Sequence, residues 1–245
     1  MRINKYLSLC AMGSRRNCEN FIIAGRIKIK GVVAALSDTV DFDSSQVTFD
    51  GKVIKPKKLV YYAFNKPVGV VCSSVRQSGD KIVLDYFDQK DLTICGRLDK
   101  DSEGLVLLTN DGDFANFVMH PRYDHEKEYV VHVRSKSNNP SEAFTYAMKL
   151  FKCGHLIKGK KTRPAEIFLQ AQSGNKAKFK IILRQGMNRQ IRRTFEKSLI
   201  VVESLQRTRI NSICLGDLEC GHIEKLTKAN ISTIINTRLS SSERK

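Results

Sequence analysis

Residues 95 to 112 read Cys-Gly-Arg-Leu-Asp-Lys-Asp-Ser-Glu-Gly-Leu-Val-Leu-Leu-Thr-Asn-Asp-Gly, and no other stretch constrains the fold as strongly. Asp99, Asp101 and Glu103, interleaved with Arg97 and Lys100, run straight into four aliphatic residues, Leu105 to Leu108. An unbroken apolar run bounded by Gly104 and Asn110 predicts a short strand buried on both faces. Carboxylates beside such a strand are costly unless they are paired, solvated or used, because a charge near the core loses its hydration. The strand therefore marks the interior of a sheet, and the loop before it is the first candidate for chemistry.

A chain of 245 residues can remove roughly 70% of its extended surface from water, so it needs no disulfide or metal staples. One large domain or two unequal ones are expected. Lysine and arginine number 42 against 25 acidic residues, a net charge of +17, and a polyanion is the first partner such an excess implies. The seven cysteines include no Cys-x-x-Cys pair and the five histidines are scattered. Reduced thiols in a cytoplasmic chain without a metal site are the expectation. Apolar runs fall far short of the ~20 residues of a membrane span. The opening Met-Arg-Ile-Asn-Lys-Tyr carries no apolar export region, so no membrane partner is expected.

Residues 1 to 31 are densely basic. Arg2, Lys5, Arg15, Arg16, Arg26, Lys28 and Lys30 stand against a single acid, Glu19. Ile3, Tyr6, Leu7 and Cys10 share one helical face, Gly13 breaks it, and Ser14 is placed to cap a second helix running to Gly25. Ile27, Ile29 and Gly31 then suggest a strand and turn, and Val47, Phe49, Val53 and Ile54 complete a small sheet. A domain boundary is expected near residue 58, with a second domain over 59–236 and a frayed, disordered tail over 237–245.

In the second domain, Tyr61 to Cys72 reads as strand, Lys66-Pro67 turn, and strand. Lys81 to Phe87 suggests a short helix, and Asn110-Asp111-Gly112 a turn opening a helix through Val118. Tyr129, Val131 and Val133 alternate as the buried side of a strand, and Pro140 opens a helix to about Leu150. Strands with turns at Gly159 and Gly174 follow. The fold class is α+β, with an extended and mostly antiparallel sheet flanked by helices. In Arg184 to Arg193, Asn188 is placed to cap a helix whose Ile191 and Phe195 pack inward, leaving Arg189, Arg192 and Arg193 free to aim elsewhere.

These motifs together resemble the pseudouridine synthases that modify ribosomal RNA, the RsuA/RluB/RluE/RluF family. The residues that carry the resemblance are Asn65-Lys-Pro-x-Gly69, Gly96-Arg-Leu-Asp99, Gln190-Ile-Arg192 and Leu205-x-Arg207-x-x-Ile210. Asp124 to Tyr129, Gln185 to Arg193 and Arg207 to Ile210 look like the large-subunit, RluF-type branch more than the small-subunit type. Arg-x-x-Lys-Tyr-Leu, Ser-Arg-Arg and Ile-x-x-Gly-Arg-Ile near the N-terminus look like an S4 RNA-binding domain, which would occupy 1–58 and present Arg2, Lys5, Arg15, Arg16, Arg26 and Lys28 to RNA. One departure is visible, since the family carries a glycine where this chain reads Glu196-Lys-Ser-Leu-Ile200.

The resemblance implies an isomerase that breaks the uracil N1–C1′ bond, turns the base and rejoins it through C5, with no cofactor. Asp99 would act at the sugar, as nucleophile at C1′ or as base at C2′, and Arg192 would pair with it. Tyr129 would stack on the base and help remove the C5 proton, and Leu205 would pack against it. A uridine in folded RNA must be flipped out, with Arg97 filling the vacated space or holding the phosphate. Asn188, Arg189, Gln190 and Lys66 complete the expected substrate contacts. The implied partner is large-subunit (23S) rRNA, with a tRNA as a further substrate, bound by a monomer. The rival reading is a non-catalytic S4-type RNA-binding or ribosome-assembly protein.

Overall fold

The computed structural model describes residues 1–41, 46–76 and 79–236, so the tail expected over 237–245 lies outside the described residues. The chain divides into two compact units, Met1–Val60 and Tyr61–Lys245.

In the first unit, α1 (Ile3–Leu9) and α2 (Arg15–Ile23) precede β1 (Ile27–Ile29), β2 (Val32–Val33), β3 (Val47–Phe49) and β4 (Lys52–Val53). The strands pair in the order β2-β1-β3-β4. Ile3, Tyr6 and Leu7 of α1 join Cys18, Ile22, Ile27 and Val47 in one core, so both helices bury an apolar stripe against the small sheet. Ser14 caps α2 by accepting from the Asn17 backbone N–H at 3.2 Å, which satisfies one of the free donors of the first turn.

The second unit runs β5 (Tyr61–Lys66), β6 (Thr93–Cys95), β7 (Glu103–Thr109), α3 (Gly112–Met119), β8 (Lys127–Ser135), α4 (Pro140–Cys153), β9 (Leu156–Ile157), β10 (Lys160–Lys161) and β11 (Glu166–Ser173). It continues with β12 (Lys176–Leu183), α5 (Gln190–Glu196), β13 (Ile200–Ile210), β14 (Ile213–Cys214), β15 (Ile223–Lys225) and α6 (Lys228–Asn236). Among the described residues, the main sheet has the order β11-β12-β8-β13-β7-β5-β15, with β6 and β14 pairing off that path. All its pairings are antiparallel except β7 with β13.

The aliphatic run Leu105–Leu108 lies inside β7 and is fully buried, as a strand flanked by β13 and β5 must be. Leu105 and Leu107 pack with Phe114 and Val118 of α3 and with Ile231 and Ile234 of α6. On the other half, Phe144 and Phe151 of α4 meet Phe179 of β12 and Phe195 of α5 through tilted and edge-on ring contacts. One core thus fixes β7 and the other fixes α5. Those two elements carry the loops of interest.

Four local expectations change. Val68 to Cys72 forms no strand, only a single bridge from Val71 to Ile82. Lys81 to Phe87 contains one 3₁₀ turn, Val83–Tyr86. Asn188 does not cap α5; Arg189 takes the cap position in a left-handed conformation (φ 51°) and no side chain caps the helix. After α5, where the family has a glycine, Leu199 adopts φ 57°, so a branched residue occupies a backbone state that favours glycine.

Candidate active site

The acidic loop between β6 and β7 owes its position to two anchors. Leu98 is buried below it and donates its backbone N–H toward the Cys72 sulfur at 3.4 Å. Ser102 is almost fully buried and its N–H bonds the Asp99 carbonyl at 3.1 Å, closing a tight turn around Asp99 and Asp101. Residues from this loop, from α5 and its preceding turn, and from β8 and β13 border one cavity of about 670 Å³. Asp99, Arg97, Tyr129, Asn188, Arg189, Gln190, Arg192 and Leu205 all line it.

Lys66 does not. Its side chain is fully buried, with Nζ donating to the carbonyls of Pro67 at 2.8 Å and Val70 at 2.9 Å. Burial holds this ammonium below its ordinary pKa. The lysine of Asn65-Lys-Pro-x-Gly69 therefore ties a turn together and does not border the cavity. Gln190 is also buried, and its Oε1 accepts from the Met187 N–H at 3.3 Å, so it shapes the turn before α5.

The charges pair differently from the expectation of an Asp99–Arg192 ion pair. Arg189 Nη1 lies 3.6 Å from Asp99 Oδ2 and also grips Asp101, with Nη1 and Nη2 at 3.0 and 2.9 Å from its two oxygens. Arg192 instead donates through Nη2 to the Asp101 carbonyl at 2.7 Å and to Ser102 Oγ at 3.3 Å, and through Nη1 to the Val202 carbonyl at 3.2 Å. Its Nε stands 3.3 Å from Asp101 Oδ2 without a directed hydrogen bond. The physical reason is the cap geometry: the left-handed Arg189 turns its side chain over the acidic loop and takes the outer position. Arg192, one turn on, anchors the loop from beneath.

Asp101 is the most heavily bonded acid of the loop. The Arg189 hydrogen bonds hold its carboxyl below the usual range. Burial, opposed by Asp101, holds the Arg192 guanidinium below its ordinary value. Asp99 is 30% exposed and meets Arg189 only at 3.6 Å, whereas Asp101, although more exposed, is committed to two Arg189 hydrogen bonds, so Asp99 is the less tightly held acid of the pair. Asn188 accepts from Arg193 Nη2 at 2.8 Å, so it braces the arginine turn.

Tyr129 and Leu205 are buried on the cavity wall on the adjacent strands β8 and β13. Lys127 and Arg207 border the same cavity and were not among the expected site residues. A signal for both was present: each stands two residues from an expected one, on the same strand face, since side chains alternate along a strand. Burial, then the neighbouring Arg207 charge, pushes Lys127 down to about 8. Among the described residues no group of three His, Cys, Asp or Glu is arranged to hold a metal ion.

In the N-terminal unit, Arg2, Arg15, Arg16, Arg26 and Lys28 are exposed and Lys5 is half-buried. Arg15 donates to Asn4 at 3.3 Å. Arg26 is paired with Asp50 and stacked 4.3 Å from the Phe49 ring. Arg26 is thus already neutralised and braced, unlike the bare cation the sequence suggested.

Residues 60–197 match the family model described as RNA pseudouridylate synthase. The chain is 38% identical over 229 residues to the dual-specificity RNA pseudouridine synthase RluF of Salmonella typhi, covering 92% of this chain and 75% of the relative. It is 32% identical over 237 residues to the ribosomal large subunit pseudouridine synthase B of Bacillus subtilis (strain 168), covering 95% of each. A crystal structure of a pseudouridylate synthase superposes with a TM-score of 0.64 at 25% identity, over 96% of this chain and 99% of that one. With the acid, tyrosine and arginine motifs converging on one cavity, the chain belongs to the RNA pseudouridylate synthase family.

Proposed function

We propose that this chain converts a uridine of large-subunit ribosomal RNA into pseudouridine, with Asp99 as the group that attacks the sugar. The observation that carries the reading is the convergence of Asp99 with Tyr129, Arg189, Arg192 and Leu205 on one open cavity in a basic chain. A relic that only bound RNA would have no use for a half-open carboxylate beside Arg189 in such a cavity. Asp99 attacks C1′, or removes the C2′ proton, as the N1–C1′ bond breaks and its electron pair moves onto the uracil. The base turns, C5 bonds to C1′, and the C5 proton leaves through Tyr129 or water. Product and substrate are isomers, so the reaction needs neither oxidant nor energy source, and the enzyme works in the cytoplasm as a monomer without a cofactor. Arg97, on the exposed rim, holds the flipped strand.

The N-terminal unit acts as an S4 domain that delivers the enzyme to RNA through phosphate contacts. Its helix pair with a basic second helix and a small sheet supports that assignment. Replacing Arg15 and Arg16 together by alanine is expected to lower the slope of log affinity against log salt by about 1 to 2. An unchanged slope would mean that this face does not touch phosphate.

Substrate identity is tested by mapping pseudouridines in ribosomal and transfer RNA from cells with and without the gene. Loss of one large-subunit site is the expected result, and a tRNA site lost with it would match the name dual-specificity of the Salmonella relative. Retention of every rRNA pseudouridine would overturn the rRNA assignment.

A further inference from the structure

The two cations missed from the sequence are the least compensated charges in the site. Arg207 is only 1% exposed, and its guanidinium is held by main-chain carbonyls alone: Nε to Leu105 at 2.7 Å and Nη1 to Arg97 at 3.4 Å. Its Nη2 is buried with no hydrogen-bond partner, and among the described residues no carboxylate lies within ion-pair distance of it. Lys127 donates only to the His125 carbonyl, at 3.3 Å. Nearby acids are occupied on other charges, Glu126 with Arg184 and Arg209 and Glu128 with Arg209. A buried cation and a half-buried one close enough to repel, without an ion-paired carboxylate, destabilise the resting fold, and such strain is kept where a later charge relieves it.

Their placement says which charge. Arg207 sits opposite Tyr129 in the β8–β13 register and Lys127 opposite Ile210, two residues along. Leu205, Arg207, Lys127 and Tyr129 thus form one patch of the cavity wall, at the residues expected to meet the base. By contrast, Arg189 and Arg192 spend their charge on the acidic loop.

We propose that Arg207 and Lys127 form an electrostatic wall that stabilises the uracil anion released when the N1–C1′ bond breaks. This rests on the uridine-isomerising reading given above. As that bond cleaves, the electron pair stays with the base and spreads from N1 onto O2 and O4, while C1′ bonds to Asp99 or forms a double bond to C2′. Positive charge fixed in a poorly hydrated wall favours this state over the neutral nucleoside, because the charge it answers exists only after bond breaking. The wall loses its counter-charge when the electron pair on the base forms the C5–C1′ bond and the base becomes neutral again. The lowered proton affinity of Lys127 agrees with a cation that has no ion-pair partner among the described residues and lies beside Arg207; Asp124, which acts on it in the opposite sense, is itself paired with Arg163.

The test varies the leaving group. A transcript of large-subunit rRNA is prepared with uridine or with 5-fluorouridine, whose fluorine withdraws electrons and stabilises the uracil anion without help from the protein. C5 then carries no proton to lose, so cleavage is read as disappearance of the parent nucleoside in a nuclease digest under single-turnover conditions. Lys127→Met is expected to slow the uridine reaction about 30-fold and the 5-fluorouridine reaction no more than about threefold, with RNA affinity unchanged. Lys127→Arg should restore most of the rate, and Arg207→Lys should show the same selective loss. If Arg207→Lys fails to fold, the Lys127 variants carry the result alone. Equal losses on both substrates would overturn the inference, as would a loss confined to RNA affinity, which would assign the wall to a phosphate. Failure of the wild-type protein to convert uridine in any RNA would instead overturn the activity reading, so the two failures are distinguishable.

Discussion

Asp99→Asn is expected to lower pseudouridine formation by at least about 10³-fold, while RNA affinity stays within a few-fold or tightens. The substitution keeps the shape of the side chain and removes its charge, so neither attack on C1′ nor abstraction from C2′ has an electron pair to offer. Little of the fold depends on this carboxylate. It has one ion-pair partner, Arg189 at 3.6 Å, and Arg189 remains held by Asp101 when that contact goes. The Ser102 hydrogen bond runs to the Asp99 carbonyl, which asparagine retains. Removing an anion from a basic groove eases the approach of phosphate, hence no loss of affinity. The decisive measurement is single-turnover conversion on full-length substrate beside a binding titration of the same variant. Retained turnover would move the chemistry to another group, and Asp101 is the only other carboxylate of that loop close to the arginines. Its two bonds to Arg189 tie both of its oxygens to the turn before α5, so the comparison variant Asp101→Asn should weaken the loop and cost RNA positioning as well as rate.

What could be read from the residues was what neighbours along the chain decide. The buried run Leu105–Leu108, the inward side of Tyr129, Val131 and Val133, and the Ser14 cap each depend on a few adjacent residues. The charge pairing depended on one backbone torsion instead. Arg189, Arg192 and Arg193 lie within one helical turn, and nothing in their order says that Arg189 adopts a left-handed conformation and reaches the acids first. Lys66 misled for a related reason, because lysine is rarely buried, yet the Pro67 and Val70 carbonyls curl around its ammonium and replace water. For Arg207 and Lys127 the period-two spacing from Leu205 and Tyr129 gave the strand face but not their proximity to each other. Their repulsion arises because β8 and β13 are neighbours, a pairing between distant segments that local pattern does not encode.

Gly104→Ala is expected to cost about 3 to 5 kcal/mol of stability, a large effect for a single methyl group. Two independent costs meet at this position. The backbone sits at φ 105°, where a side chain is strained whatever the surroundings. A Cβ there would stand 2.4 Å from the Arg207 carbonyl oxygen and 2.7 Å from its nitrogen, both main-chain atoms that cannot swing away. Gly104 pairs with Arg207 on one side and with Lys66 on the other, so β7 has no free edge toward which it could move. Relief would require parting β7 from β13 along their short parallel pairing, and Arg207 would lose its bond to the Leu105 carbonyl. Activity should therefore fall with stability, since the Asp99 loop enters β7 one residue before this glycine. Urea unfolding of the variant beside Gly112→Ala separates the causes. Gly112 has nothing within 4 Å of a built Cβ and starts helix α3, so alanine there is expected to be neutral or stabilising by up to about 1 kcal/mol. A cost below about 1 kcal/mol at Gly104 would mean that β7 and β13 can separate without loss, and that the wall carrying Arg207 is not rigidly set against the acidic loop.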